Sequence, residues 1–237
     1  MVKKKTNPLN KRFLRELKSE AGKYIVLFVF IAGVIALVSG FLVASGSMSQ
    51  AYDESFEKYN IEDGNFEVKR EASSGLLDAL QKDGTKIYSN FYKEEQTKNV
   101  ESTLRIFKKR TEIDLECLME GSFPEDENEI AIDRMYAVNN KISVGDVMEL
   151  GDVSYTICGL VALSDYSALF SSTSDMMFDA VRFGVAIVTE DGFNKINDDH
   201  LHYNYSWRYS ERPADEKEAK TLSESFLKTL YVNEIGR

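Results

Sequence analysis

Residues 24–44 read YIVLFVFIAGVIALVSGFLVA, twenty-one positions without a charge, bounded by Lys23 and by a polar run that opens at Ser45. At about 1.5 Å of rise per residue, a helix of this length spans roughly 30 Å, the thickness of a bilayer's hydrocarbon core. A helix at home in a soluble core carries a polar stripe. Here apolar or small residues cover every face and only Ser39 interrupts them, so the stretch reads as a transmembrane helix. Ala44, Ser45 and Gly46 are small enough for a signal-peptide cleavage site, but the apolar region of such a leader runs to only about 7–15 residues. The uncleaved anchor is the reading adopted.

Charge gives the span a direction. Residues 1–23 carry eight Lys or Arg against Glu16 and Glu20, a net of +6, while the whole chain stands at −10; the remainder is therefore −16, from 21 basic and 37 acidic side chains. The positive-inside rule then puts the N-terminus in the cytoplasm of a cell-membrane protein and about 190 residues outside. Residues 8–22 read as an amphipathic helix with Leu9, Phe13, Leu14 and Leu17 on one side. Its basic residues Lys11, Arg12, Arg15 and Lys18, with Lys23, are suited to anionic lipid headgroups. Within the span, Ala32, Ala36 and Gly40 recur every four residues, a strip on which another membrane helix can approach closely.

The spacing predicts segments at 1–23 (cytoplasmic), 24–44 (span), 45–62 (a stalk helix with Met48, Tyr52, Phe56 and Tyr59 on one side, stopped by Asp63-Gly64) and 63–237 (exterior). In the exterior part, Asn65–Lys69 alternates as a strand, a helix capped by Ser74 carries Leu76, Leu77 and Leu80, and Lys86–Tyr92 returns as a strand: a β-α-β unit. From about 100 to 165 short strands dominate, at Leu104–Phe107, Ile113–Met119, Glu129–Ile132, Val147–Leu150 and Val153–Val161. Gly151-Asp152 marks a type II′ hairpin. Phe183–Val188 and His202–Tyr209 follow as strands around a short helix at Asp191–Ile196. A closing helix from near Pro213 places Ala219, Leu222, Phe226, Leu227 and Leu230 on one face. The fold class is α+β: two β-α-β-type halves with an inserted β-rich module, on a single N-terminal transmembrane helix.

Residues 120–166, EGSFPEDENEIAIDRMYAVNNKISVGDVMELGDVSYTICGLVALSDY, resemble the exterior domain of the FtsX/MacB-like ABC transporter permeases. A Gly-x-x-Pro turn (Gly121, Pro124) precedes Asn128-Glu129-Ile130, a helix with Ala137, then Val144-Gly145-Asp146 and a strand containing Gly159. The basic segment that runs into a span, and SSTSDMMFDAVRFGVAIV at 171–188, are similar to the large Gram-positive permeases of this type. The resemblance implies a cytoplasmic ABC ATPase subunit as partner, contact with other permease membrane helices or a second copy, and an exterior domain that couples ATP-driven motion to export or to activation of a partner. Family members carry three further spans after this domain; the chain runs to Arg237 without another apolar stretch and looks like the N-terminal part of a permease.

No nucleotide-binding or hydrolase signature is present: no G-x-x-x-x-G-K-[ST], G-x-S-x-G or H-E-x-x-H, so no enzyme activity and no cofactor is expected. The acidic exterior disfavours nucleic acid. His200 and His202, on one side of a strand beside Asp198 and Asp199, lack a third fixed metal ligand. The acidic stretch Pro124–Glu129 lacks cation-loop spacing and reads as a solvated turn. Cys117 and Cys158 read as two buried thiols rather than a disulfide, and Leu169, Phe170, Met176, Met177 and Phe178 as core, with a loop that grips a hydrophobic ligand or partner as the alternative. The alternative from another class is a single-span, membrane-anchored sensor or binding domain.

Overall fold

The computed structural model describes residues 12, 15, 16, 18–82, 84–98, 101–172 and 174–235. Lys11 and the apolar side of the surface helix (Leu9, Phe13, Leu14, Leu17) lie outside them, as does Asp83. The chain divides into two units, residues 1–54 and 55–237.

In the first unit the dominant element is α1, Ala21–Lys58, which contains the apolar stretch and continues into the second unit. Among the described residues it is the one helix long and apolar enough to cross a membrane. No residue of it is buried, and Leu37 and Phe41 are 76% and 75% exposed. So much continuous apolar surface belongs in lipid or against other helices. Arg12 pairs with Glu16 at 3.4 Å and Lys23 with Glu20 at 2.9 Å, both at the helical spacings that bring side chains together.

The helix ends earlier than Asp63-Gly64 suggested. Asn60 takes a left-handed conformation (φ 48), and the Ile61 N–H returns to the Phe56 carbonyl at 3.1 Å, closing the last turn as a Schellman motif does.

The second unit is built on one ten-stranded mixed sheet. Its strands are β1 (Gly64–Val68), β2 (Thr85–Ser89), β3 (Tyr92–Gln96), β4 (Thr103–Lys108), β5 (Cys117–Gly121), β6 (Glu129–Asp133), β7 (Val147–Leu150), β8 (Val153–Ala162), β9 (Phe183–Val188) and β10 (Leu201–Tyr209). They lie in the order β1-β10-β3-β4-β9-β6-β8-β5, with β2 also on β10 and β7 also on β8. The pairs β4–β9 and β6–β8 are parallel; the rest are antiparallel.

The first β-α-β unit is split: β10 runs antiparallel between β1 and β2. Helices α2 (Ser74–Leu80) and α5 (Glu216–Ile235) pack together beside these strands. Phe66, Val68, Leu76, Leu80, Tyr205, Trp207 and Phe226 form the local core, with Trp207 stacked on Phe226 at 4.3 Å. The cap of α2 is Ser73 rather than Ser74, its Oγ accepting the Leu76 N–H. Pro213 precedes α5, whose start is set by Asp215, which accepts the Glu218 N–H at 2.8 Å, and by Glu218, which accepts the Ala214 N–H at 2.7 Å. Leu227 lies off the buried face.

A larger core lies around β4, β6, β8 and β9, covered by α3 (Arg134–Asn140) and α4 (Glu190–Asn194). Every residue of β9 is buried. The strand expected over 86–92 is two strands, β2 and β3, that lie against β10 in one register; between them the Asn90 N–H still donates to the Asn204 carbonyl at 2.9 Å, and its side chain donates to Ser206 at 3.1 Å. The strand expected from Ile113 starts only at Cys117, since Asp114 takes a left-handed turn (φ 50). The Gly151-Asp152 hairpin joins β7 to β8 as expected.

The residues that carry the family resemblance converge on one stretch of β8, Thr156–Gly159. Gly121 pairs with Gly159, and a Cβ on Gly159 would stand 2.2 Å from the Ser122 carbonyl oxygen. Pro124 is buried beside this turn. Glu129 accepts the N–H groups of Glu125 and Asp126 at 2.8 and 3.2 Å, the Asn128 carbonyl takes the Thr156 N–H at 2.7 Å, and Ile130 lies opposite Ile157. Gly145 (φ 96) donates to the Ile157 carbonyl at 2.8 Å, and Asp146 closes the turn by accepting the Ser143 N–H at 2.8 Å. Val144 flanks it half in solvent, and Ala137 is fully buried on α3.

Two glycine substitutions separate two physical causes. Gly145→Val should destabilise the fold by about 1 kcal/mol through backbone strain alone, since no atom lies within 4 Å of a Cβ there. Gly159→Ala should cost more, about 2 kcal/mol or above, because its Cβ meets backbone that cannot rotate away. Thermal unfolding of the full chain in detergent would show the order, and equal Tm values for Gly159→Ala and the parent chain would refute the close-packed turn.

Candidate functional site

The motif residues build turns and present no reactive group. The chemistry of the second unit is concentrated instead where its two cores meet, around Arg110, which in the sequence is the end of an ordinary basic run, Lys108-Lys109-Arg110.

The Arg110 guanidinium is buried and grips Asp165 through two parallel hydrogen bonds of 2.8 Å, Nη1 to Oδ1 and Nη2 to Oδ2. Its Nε donates to Asn90 Oδ1 at 3.1 Å and its Nη1 to the Asp114 carbonyl at 3.1 Å. Burial pulls the guanidinium's pKa down, but the Asp165 charge and hydrogen bonds outweigh it and hold it above the ordinary arginine value. Glu116 accepts the Arg110 N–H at 2.9 Å, and its carboxyl is pushed up by burial. Asp114 takes the Ser206 hydroxyl at 3.2 Å and the Glu62 N–H at 2.8 Å.

Beside this network lies an open cleft of about 730 Å³, bounded among others by Glu62, Tyr92, Arg105, Tyr166, Phe170 and His202. Arg105 stacks over Tyr92 at 4.3 Å and donates to Glu94 Oε1 at 2.6 and 3.0 Å, to the Tyr166 hydroxyl at 2.8 Å and to the Ser171 carbonyl at 3.0 Å. Glu67 accepts from the Tyr92 hydroxyl at 2.6 Å and meets His202 Nδ1 at 2.9 Å. Burial raises the Glu67 carboxyl, but the bonds to His202 and Tyr92 more than reverse this and leave it below the usual range. Arg105 with Glu94, and Glu67 with His202, thus form a polar wall with the aromatic faces of Tyr92 and Tyr166.

The histidines do not act together. His200 sits in a short turn ahead of β10, rather than on the strand, with its Nδ1 at 2.7 Å from Glu95, whereas His202 stacks on Tyr92 at 4.6 Å. Among the described residues no three His, Cys, Asp or Glu side chains are grouped to hold a metal. Cys117 and Cys158 are free and half-buried; burial pushes the Cys158 thiol up to about 11. The 169–178 stretch departs from expectation. Leu169 alone is core, while Met176, Met177 and Phe178 are 97%, 81% and 51% exposed on a loop whose bend is held by Asp175 accepting the Ser171 and Ser172 N–H groups. Asp175 spends the local backbone donors on that bend, and hydrophobicity alone does not report which side of a loop faces inward.

In the first unit, Arg12, Arg15, Lys18 and Lys23 are exposed, and Ala32, Ala36 and Gly40 are exposed along α1, with nothing within 4 Å of a Cβ built on Gly40.

A buried charge pair punishes removal of one partner more than removal of both. Arg110→Met should therefore destabilise the fold by about 3 kcal/mol or more by stranding Asp165, and adding Asp165→Leu should restore a substantial part. Denaturant unfolding of both variants measures this; a double variant less stable than Arg110→Met would show that the pair is not the hub.

No protein-family model matches the chain, and no curated protein matches it in sequence. Solved structures similar to it include the extracellular domain of the noncanonic ABC-type transporter YknZ from Gram-positive bacteria, at 12% identity and a TM-score of 0.38 over 72% of this chain and 94% of that one. A domain of a permease protein from Porphyromonas gingivalis is similar at 15% identity and a TM-score of 0.32, covering 65% and 68%. The periplasmic region of MacB from Actinobacillus actinomycetemcomitans is similar at 13% identity and a TM-score of 0.35, covering 66% and 73%. The kind of protein that residues 120–166 resemble, an exterior domain of an FtsX/MacB-like permease, is met again among these structures.

Proposed function

We propose that the chain is the N-terminal span and exterior domain of an FtsX/MacB-like ABC transporter permease, which passes motion driven by a cytoplasmic ATPase to an exterior domain that expels a substrate or activates a partner. The observation that carries this reading is a single helix, Ala21–Lys58, that holds the uncharged stretch and extends past it without a break. One span encloses no transport path, so partner helices are required, and the strip Ala32, Ala36 and Gly40 is where they would approach. The exterior domain supplies binding surface and motion, the ATPase supplies energy, and the basic residues Arg12, Arg15, Lys18 and Lys23 hold the inner end at anionic lipid. The rival reading, a single-span sensor, draws on the same cleft and on the exposed Met176–Phe178 loop.

Ala36→Leu with Gly40→Leu separates the two readings. Leucine favours the bilayer, so insertion should persist, whereas co-purification of partner membrane helices and an ABC ATPase in mild detergent should fall at least several-fold. A lone sensor tolerates both changes, and a parent chain that captures no ATPase counts against the permease. Orientation is tested with Cys117 and Cys158 replaced by serine: a cysteine at Ser47 should react with an impermeant thiol reagent on intact cells, and one at Asn7 should not.

A further inference from the structure

The segment after α1 is fastened to the loop between β4 and β5 by backbone contacts. The Leu115 N–H donates to the Tyr59 carbonyl at 2.8 Å, the Asp114 N–H to the Asn60 carbonyl at 3.1 Å, and the Asn60 amide reaches the Glu112 carbonyl. The fourth contact, Glu62 N–H to Asp114 Oδ1 at 2.8 Å, brings a carboxyl-bearing residue of the segment onto a carboxyl of the loop.

The surrounding charges do not balance. Among the described residues, Glu62, Asp114, Glu116 and Asp165 crowd one cation, Arg110, whose hydrogen bonds go to Asp165, to Asn90 and to the Asp114 carbonyl rather than to the side chains of Asp114 or Glu62. From β10 the facing group is the Ser206 hydroxyl, from the link between β2 and β3 it is Asn90, and from β1 it is the Asn65 amide, which donates to Glu62 Oε1 at 2.5 Å. Asp114 is fully buried, and Asp165 and Glu116 nearly so. Glu62 is half-buried and, like Asp165, borders the cleft. With four carboxyls set around one guanidinium and Asp114 out of water, the cluster cannot hold every carboxyl ionised without a desolvation cost.

We propose that Glu62 and Asp114 form a proton-held latch: while one proton is kept between them, the 59–62 segment stays fastened to the 110–116 loop, and loss of that proton sets two carboxylates against each other and loosens the fastening. Burial, then the Glu62 and Asp165 charges, push the Asp114 carboxyl up to about 8 against the pull of Arg110, and burial raises Glu62 as well. Because the folded chain holds a proton that the unfolded chain has released, the stabilisation is complete below the ordinary carboxylate range. It declines as pH rises to about 8 and is gone above it. The latch is independent of any transport partner and stands or falls without the permease reading.

Asp114→Asn mimics the protonated form. Asparagine accepts the left-handed backbone that Asp114 adopts (φ 50), its amide oxygen keeps the Glu62 N–H, and its NH₂ can donate to the Glu62 carboxylate. The test is amide hydrogen exchange on the full chain in detergent micelles at pH 6 and pH 9, corrected for intrinsic exchange, with β9 as internal reference. In the parent chain, protection at residues 59–63 and 112–116 should drop about tenfold or more between the two pH values while β9 holds, and in Asp114→Asn the drop should vanish. Should that variant fail to fold, Glu62→Gln removes the same repulsion and must flatten the response in its place. A parent chain with no local drop, or a folded variant that keeps the drop, overturns the latch.

Discussion

A guanidinium and a carboxylate taken out of water together lose several kcal/mol of hydration each, and only near-ideal geometry returns it. The Arg110–Asp165 pair meets that condition with two parallel bonds of 2.8 Å, and two further donors of Arg110 are met by Asn90 and the Asp114 carbonyl. Those partners come from the link between β2 and β3, from the loop after β4 and from the turn after β8. Each must therefore be in place before any is comfortable. The pair accordingly acts as a constraint on assembly: it fixes where three loops from distant parts of the sequence meet, at the seam between the aromatic core under α2 and α5 and the aliphatic core around β9.

Strand β10 makes the same connection through the backbone. Tyr203–Trp207 pairs with β1 and Tyr205–Tyr209 with β2, while the strand's first residues, Leu201 and His202, pair with β3. One strand thus belongs to both parts of the sheet, and the two cores are continuous through hydrogen-bonded backbone instead of being joined by a linker. Lys93, also at this seam, is buried with its ammonium on the carbonyls of Phe193 and Ile196 at 3.0 and 2.6 Å and on Asp198 at 2.8 Å. It ties β3 to the turn that launches β10. The β-rich stretch at 100–165 is knitted into this sheet through β4, which pairs with β3 on one side and β9 on the other.

What could be read from the sequence was whatever a short window decides. An uncharged run of membrane length, a Gly-Asp hairpin, an alternating strand and a glycine turn each rest on neighbouring residues, and those features appear where expected. The hub did not announce itself, because Lys108-Lys109-Arg110 looks like any solvated basic run; only the approach of Asp165, fifty-five positions away, turns one of the three inward. Asp114 gave as little warning, since an aspartate between Ile113 and Leu115 fits a strand until its backbone turns left-handed. The loop at Met176–Phe178 misled for the opposite reason: apolar composition suggests burial, yet Asp175 and Asp179 cap that segment into bends that carry the side chains outward. Even Ser73 for Ser74, and Asn60 for Asp63-Gly64, show neighbouring residues competing for one capping role, a contest that dihedral angles settle and composition does not.

An apolar plug of the same volume would hold the seam about as tightly as the charged network does, and buried ion pairs replaced by well-packed apolar groups often cost nothing. What an apolar plug lacks is direction. Apolar contacts tolerate a sliding or rotated neighbour, whereas the contacts of residues 59–62 with 112–115 exist in one register only, set by Asp114 receiving Glu62 and by Arg110 holding the Asp114 carbonyl. The segment that leaves the end of α1 is therefore fixed in orientation by groups whose energy depends on angle and on protonation. Such a joint can be stiff in one protonation state and compliant in another, a property that packing alone does not provide.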